Sequence, residues 1–493
     1  MIRALLAAAL LTVTTALAAP LPSQPPGKPL TAADAQRDLR ILRKALVEIH
    51  PGNDRYVTLD ALEAEFARAQ AEVANGATQG QVYLIASRLA AFVRCGHTWT
   101  NPLNQRGDVQ AAVFGAADKL PLWLKRVAGR YLVTASSDPR IKTGDELLSI
   151  DGRAMTALTA EMLPYLRADG SSDGKRLAQL DTDSNGGALD RLLPLLHAPV
   201  NGRYTLQVAN LSGKSRVVTV AATSITARDA LLARRGIQPR RDDWAFRVDA
   251  DGIAVLTMPT FAFWNDPFDW KAAIDRAFAE VDSGRVRGLV LDLRNNEGGS
   301  DTIGDTVLAH LIKAPYTKPA ALPYVRYERM PYTLSRYFDT WDYDYFDRTG
   351  QVTKLAERWY RADNRVEPAE VIQPIPGLVA AGKVPTVALT GPQMSSAGYI
   401  IARDLRDSGA AHLIGRTTGG NRRGLNGGEL AWLTLPASGV AVDIPLISWR
   451  PTSDQPDIGI VPDLHVPEDF DAARAGRDVE MEAARAWLAD TAR

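Results

Sequence analysis

Along the chain, apolar positions pass from helical spacing to alternation and then to a mixture of the two. Leu39, Leu42, Leu46 and Ile49 recur at helical spacing behind Thr31, a good cap, and Pro51-Gly52 ends the run. Similar patterns cover Leu59 to about Val73 and Gln81 to Val93, predicting a helical N-terminal region over 31–108. From about Pro121 the pieces shorten and become β-rich: Leu122 to Val127, Tyr131 to Ala135, and the strands Tyr204 to Val208 and Ser215 to Val220 around the turn Gly213-Lys214. Between them, Leu158 to His197 reads as a helical and polar insertion, so a β-rich unit spans 109–225.

A third region, 240–493, alternates the two periods: Ile253 to Met258, a helix over Trp270 to Val281, Val286 to Leu293, a helix over Asp301 to Ile312, then Val384 to Leu389. Strands alternating with helices predict an α/β core. Residues 314–376 interrupt it and are dense in aromatics (Tyr332, Tyr337, Phe338, Trp341, Tyr343, Tyr345, Phe346). They predict either a wall or lid of a cleft or a helical subdomain packing its own rings. No fixed-period repeat occurs, which disfavours solenoids and propellers.

The N-terminus adds an address. Arg3, an apolar run from Ala4 to Leu17 and the small residues around Ala18 read as a signal peptide over 1–19, followed by a Pro/Gly-rich linker over 20–30. The run is shorter than the ~20 residues of a spanning helix, so no stable membrane span is expected after its removal, and the location predicted is periplasmic or secreted. Composition narrows the partners. The 493 residues carry 57 Lys+Arg against 57 Asp+Glu, which argues against a nucleic-acid partner. The single cysteine, Cys95, excludes an intramolecular disulfide and reads as a small buried hydrophobe.

The densest chemical signal is Val384 to Gly420, where a buried-strand pattern meets Gln393-Met394-Ser395-Ser396-Ala397-Gly398 and then the helical run Tyr399 to Arg406. A serine at the start of a helix lies beside free N–H groups that can stabilise an oxyanion. It also fits a plain N-cap, and the first glycine of a nucleophile elbow is missing.

Three further motifs resolve that choice. Leu291-Asp292-Leu293-Arg294-Asn295-Asn296-Glu297-Gly298-Gly299, Ser396-Ala397-Gly398, Ile414-Gly415-Arg416-Thr417-Thr418-Gly419-Gly420 and Gly459-Ile460-Val461-Pro462-Asp463 follow one another as in the tail-specific, or carboxy-terminal-processing, serine peptidases, which the chain resembles. Lys142-Thr143-Gly144-Asp145-Glu146-Leu147-Leu148-Ser149-Ile150-Asp151-Gly152 resembles a PDZ stretch. The resemblance implies a crotonase-like ββα-type peptidase core with a helical N-terminal region and a PDZ-like insert, and Ser396 as nucleophile. It implies an oxyanion hole from the amides of Gly298, Gly299 and Ala397.

Asn421 stands where the dyad branch carries its lysine base, and Arg422 and Arg423 stay protonated, so a Ser-Lys dyad is not expected at that position. The tricorn-type and interphotoreceptor-retinoid-binding-like branch draws a histidine from the helical region. Arg94-Cys95-Gly96-His97-Thr98 resembles that segment, making His97 the expected general base, against the plainer reading of a structural histidine ending a helix. The same branch places an acid just before the last motif, where Asp457, or else Asp454, stands. No HExxH pattern or phosphate loop occurs, and no metal or cofactor is expected. The expected function is peptide-bond hydrolysis of exported polypeptides through an acyl-enzyme at Ser396. The alternative is an inactive peptidase scaffold holding an apolar ligand or peptide. Oligomeric state leaves no trace in the sequence.

Overall fold

The computed structural model describes residues 25–183, 186–237, 243–362, 374–378 and 382–491. The expected signal peptide, the start of the linker and residues 363–373 of the aromatic interruption lie outside them. The fold is a mixed α/β one whose centre is a six-stranded sheet. Its strands lie side by side in chain order, Ala245–Val248, Ile253–Thr257, Gly288–Asp292, Thr386–Thr390, His412–Gly415 and Leu464–His465. Only the first is antiparallel to its neighbour.

Side chains alternate across this sheet. Ala254, Leu256, Leu289, Leu291, Ala388 and Leu413 pack with the helices Trp270–Val281, Asp301–Ala309 and Ala397–Asp407. Ile253, Val255, Val290, Val387, Leu389 and Ile414 meet Ala484 and Leu488 of the C-terminal helix Val479–Thr491. Covering both faces is what parallel strands require, and it explains why they read as unbroken apolar runs.

The helical region forms as its spacing predicts. Thr31 accepts from Asp34 N and caps Ala32–Lys44, and the apolar stripe continues to Ile49 through a wider turn in which His50 N donates to Ala45 O. Leu59–Glu72 and Gln79–Phe92 follow, the latter with a reciprocal cap between Thr78 and Gln81. The β-rich unit is an antiparallel sheet in the order Leu122–Val127, Arg130–Ser136, Glu146–Ile150, Arg203–Ala209, Ser215–Ala221. The insertion within it carries the helices Met155–Met162, Asp173–Ala178 and Ala188–Leu196.

One apolar cluster runs through the N-terminal helices, this β-sheet and the late strands Leu430–Thr434 and Ala441–Pro445. Units that are separate in sequence therefore share a core. Within it the Arg228–Asp190 pair is fully buried at 2.9 Å, with Arg228 also bonding the carbonyls of Leu120, Leu122 and Asp183. Such a pair is tolerated because its remaining donors are satisfied.

The aromatic interruption departs from the helical alternative. Its described part holds more strand than helix, with Ala321–Val325 pairing Ser448–Pro451 and Phe338 pairing Leu433. Its rings do pack together, Trp341 meeting Tyr345 and Trp432 edge-on. Tyr324 precedes buried Val325 in one of these strands and pairs with Arg361 of the strand Trp359–Arg361.

Candidate active site

Three loops leave the carboxyl ends of adjacent parallel strands and converge, the usual location of a site in an open α/β sheet. The loop after Thr386–Thr390 ends at Ser396, which opens the helix Ala397–Asp407. Ser396 has φ 51° and ψ −131°, a left-handed conformation that a non-glycine residue adopts only when its surroundings enforce it. Its side chain does not cap the helix. Ser396 thus sits at the N-cap position without a side-chain cap, and its hydroxyl has no hydrogen bond among the described residues.

The loop after Gly288–Asp292 supplies the enforcement. A Cβ on Gly298 would lie 2.7 Å from Ser396 Cβ and 2.9 Å from Ala397 N, so backbone presses directly on the serine. Gly299, at φ +138°, leaves no room for a side chain against Phe261. Asn296 fixes this turn by donating to Met258 O at 2.9 Å and accepting from Gly298 N at 2.8 Å. The Gly298 amide is thus engaged inside its own loop, whereas the amides of Gly299 and Ala397 have no acceptor among the described residues. The third loop, after His412–Gly415, lies under the serine turn, with Gly419 N and Gly420 N both donating to Met394 O. Arg294 of the first motif turns away, pairing with Asp292, Asp478 and Glu480 and tying the C-terminal helix to the sheet.

The other wall comes from the helical region and from the insertion at 166–176. Gly96 N donates to Asp169 Oδ1 at 2.7 Å, and Gly170 N donates to Arg94 O. Arg167 donates to Gly96 O at 2.6 Å, lies 3.7 Å over the Trp99 ring, and reaches Glu297 at 2.9 Å. Lys175, almost fully buried, donates to Ser395 Oγ at 3.0 Å and Gln393 O at 3.1 Å and pairs with Glu297 at 2.9 Å. Burial works against the Glu297 charge, but the cations of Lys175 and Arg167 outweigh it and bring its carboxyl down to about 2. Burial lowers Lys175, and the Glu297 carboxylate opposes this.

His97 lies in this wall. Burial pushes its pKa below the ordinary imidazole value, Asp169 resists the shift, and Arg167 and Lys175 add to it. Its Nδ1 is buried with no hydrogen-bond partner, as is Asp169 Oδ2. Its Nε2 edge faces Gly427, where a Cβ would approach to 3.2 Å. No hydrogen bond joins His97 to Ser396; they are related through Glu297, whose charge acts on His97 and whose chain neighbour Gly298 supports Ser396.

Asp457 does not contact His97. It accepts from Ser171 N at 3.0 Å, Ser171 Oγ at 2.8 Å and Asn421 Nδ2 at 2.6 Å. Burial would raise its carboxyl, but these bonds hold it below the usual carboxylate range. The carboxylate beside His97 is Asp169. Sequence reasoning missed Asp169 and Lys175 because they lie in an insertion whose fold against the nucleophile loop no local pattern encodes. The only trace is the polar, glycine-punctuated stretch from Arg167 to Lys175. Asn421, at the position expected to exclude a base, is fully buried and bound to Asp457. Asp454 is exposed. A broad hollow lined by Lys313, Lys383, Arg406, His412 and Trp487 lies at the amino ends of the strands and contains none of these residues.

Residues 252–466, somewhat under half of the chain, match the family model of peptidase family S41. Solved structures with a similar fold extend the likeness over 94% of the chain. Mature CPAF complexed with lactacystin is 15% identical, with a TM-score of 0.60, and the match covers 94% of this chain and 98% of that one. A serine-to-alanine variant of CPAF is 15% identical, with a TM-score of 0.59, over 94% of this chain and 96% of that one. No curated protein matches the sequence. Among the described residues no helix is long and apolar enough to cross a membrane.

Proposed function

We propose that the protein is an exported serine peptidase in which Ser396 attacks the scissile carbonyl and His97 takes its proton. The observation that carries this reading is the left-handed Ser396 at a helix start, held there by Gly298 within a peptidase family S41 domain. Strained backbone at a nucleophile aims the hydroxyl outward and brings the next amide toward the developing oxyanion. We assign that role to the N–H groups of Ala397 and Gly299; Gly298, whose amide is held by Asn296, supports the serine.

His97 acts through Nε2. Burial keeps the imidazole neutral near pH 7, the form able to accept the serine proton and return it to the leaving amine. A small rotation brings Nδ1–H to Asp169 Oδ2, which orients the ring. Asp457 contributes at one remove, since it anchors Ser171 in the loop that carries Asp169. The β-rich unit is proposed as a PDZ-like module presenting polypeptide ends to a crotonase-like core, in a periplasmic or secreted setting.

Lys175 supports a second reading, in which this lysine is the base of a Ser-Lys pair. Its bond to Ser395 rather than Ser396 and its ion pair with Glu297, which opposes loss of its proton, weigh against that reading.

The test is covalent labelling by a serine-directed fluorophosphonate, with the adduct located by peptide mass spectrometry in the mature protein and in S396A, H97A and K175M. Lactacystin, carried by mature CPAF in its complex, is a second probe. Labelling at Ser396 that collapses in H97A and survives in K175M is the expected result. The converse pattern moves the base to Lys175. A protein that no probe labels is the ligand-holding scaffold instead.

A further inference from the structure

We propose that Cys95, His97 and Asp169 form a site for one zinc-type divalent metal ion, and that occupation of this site switches the peptidase off by taking His97. The second half rests on His97 being the base; the first does not.

One ligand atom from each residue lies within 4.8 Å of the other two, although Asp169 is more than seventy positions away in the chain. A thiolate, an imidazole nitrogen and a carboxylate oxygen are the donor set that favours Zn²⁺ over Mg²⁺ or Ca²⁺. Zinc–ligand bonds of about 2.0–2.3 Å set tetrahedral ligands roughly 3.3–3.7 Å apart, so the cluster must close by about 1 Å. Side-chain torsions supply that.

Independent of the spacing, the polar atoms facing the cluster lack partners. His97 Nδ1 and Asp169 Oδ2, on two of the three residues of the cluster, are buried with no hydrogen bond, and Asp169 is only 1% exposed. An orphaned buried polar atom costs about 1–3 kcal/mol, so a group of them marks a position that an ion or a polar ligand completes.

The sulfur is already arranged as a ligand. Asn426 Nδ2 donates to Cys95 Sγ at 3.2 Å. Gly52 N donates to His50 Nδ1, which leaves the His50 proton on Nε2, 2.7 Å from Thr98 Oγ1. Thr98 therefore accepts from His50 and can pass its own hydrogen to Cys95, with which its side chain interacts. Donors of this kind orient the sulfur, while burial and the Asp169 carboxylate keep it a thiol until a cation offsets them. On binding, the thiol proton leaves to solvent and the metal takes the sulfur lone pair. His97, the one partly exposed member, leaves a fourth position open to water.

The experiment uses equilibrium dialysis with Zn²⁺ and absorption spectroscopy with Co²⁺ on the mature protein, C95A, D169N and S396A. Expected are one ion per chain, a sulfur-to-cobalt charge-transfer band lost in C95A, affinity at least tenfold weaker in D169N, and binding unaffected in S396A. Zn²⁺ at saturation should also suppress fluorophosphonate labelling of Ser396, and in C95A the same suppression should need at least tenfold more metal. Absent binding, or binding indifferent to C95A and D169N, overturns the site. Binding that leaves labelling untouched overturns the switch. If the metal-free protein is not labelled at all, the switch falls with the peptidase reading, while dialysis and the cobalt spectrum still decide the site.

Discussion

The two walls of the cleft are built differently. Around Ser396 the loops are backbone against backbone: Gly298 touches the serine, Asn296 closes the turn, and Met394 O receives two amides from the third loop. Around His97 the contacts are side chains drawn from the helical region, the insertion and the core, and several polar atoms are left without partners. The first wall is preorganised by the sheet that carries it. The second is assembled by docking, in which side chains outnumber backbone links such as Gly170 N to Arg94 O, and unsatisfied atoms persist there.

The sharpest way to break this contrast is at the nucleophile. S396A should abolish fluorophosphonate labelling and lower any peptidase turnover by about 10⁴-fold or more while leaving the unfolding midpoint within about 0.5 kcal/mol of the parent. Loss of folding instead would make the serine a structural residue.

A buried histidine tests the docked wall through stability. His50 is fully buried, and burial with the nearby Arg55 and Arg326 charges lowers its pKa to about 3. A base depressed in the folded state favours the fold above its unfolded pKa of about 6.5, and that contribution is lost as pH falls toward 3. Unfolding free energy should therefore drop by up to about 5 kcal/mol across this window, and H50N should flatten the profile. Equal slopes in the two proteins would remove His50 from the account.

Gly298 probes the preorganised wall with a single methyl. G298A forces a left-handed φ of +107° on alanine and drives its Cβ into Ser396, so kcat/KM should fall by roughly 10²-fold, with about 1–2 kcal/mol of stability lost. An unchanged kcat/KM would mean that the serine is not held by this contact. The smallest effect is expected at Lys175. K175M removes one of two cations on Glu297 and should cost about 1–2 kcal/mol in denaturant unfolding, since Arg167 and partial exposure still support the carboxylate.

Much of the first wall was legible in order along the chain. Asp292 to Gly299 and Ile414 to Gly420 each end a strand of the central sheet and Ser396 to Gly398 opens the helix after one, so local pattern and site coincide. The strands themselves could be read because both faces are covered, which leaves apolar runs without gaps. The aromatic interruption left two alternatives open in the sequence because its strands pair with Ser448–Pro451 and Leu433, far along the chain.

The sequence alone therefore determined the strand–loop–helix units, the serine at a helix start and the glycines that allow backbone to approach it, since each depends on neighbours a few residues away. Only the tertiary structure decided that Asp169 rather than Asp457 lies beside His97, that Lys175 reaches the nucleophile loop, and that the Gly298 amide is engaged by Asn296. Those outcomes depend on how an insertion docks against two other units, and docking is governed by shape and charge between distant segments, which no local period records.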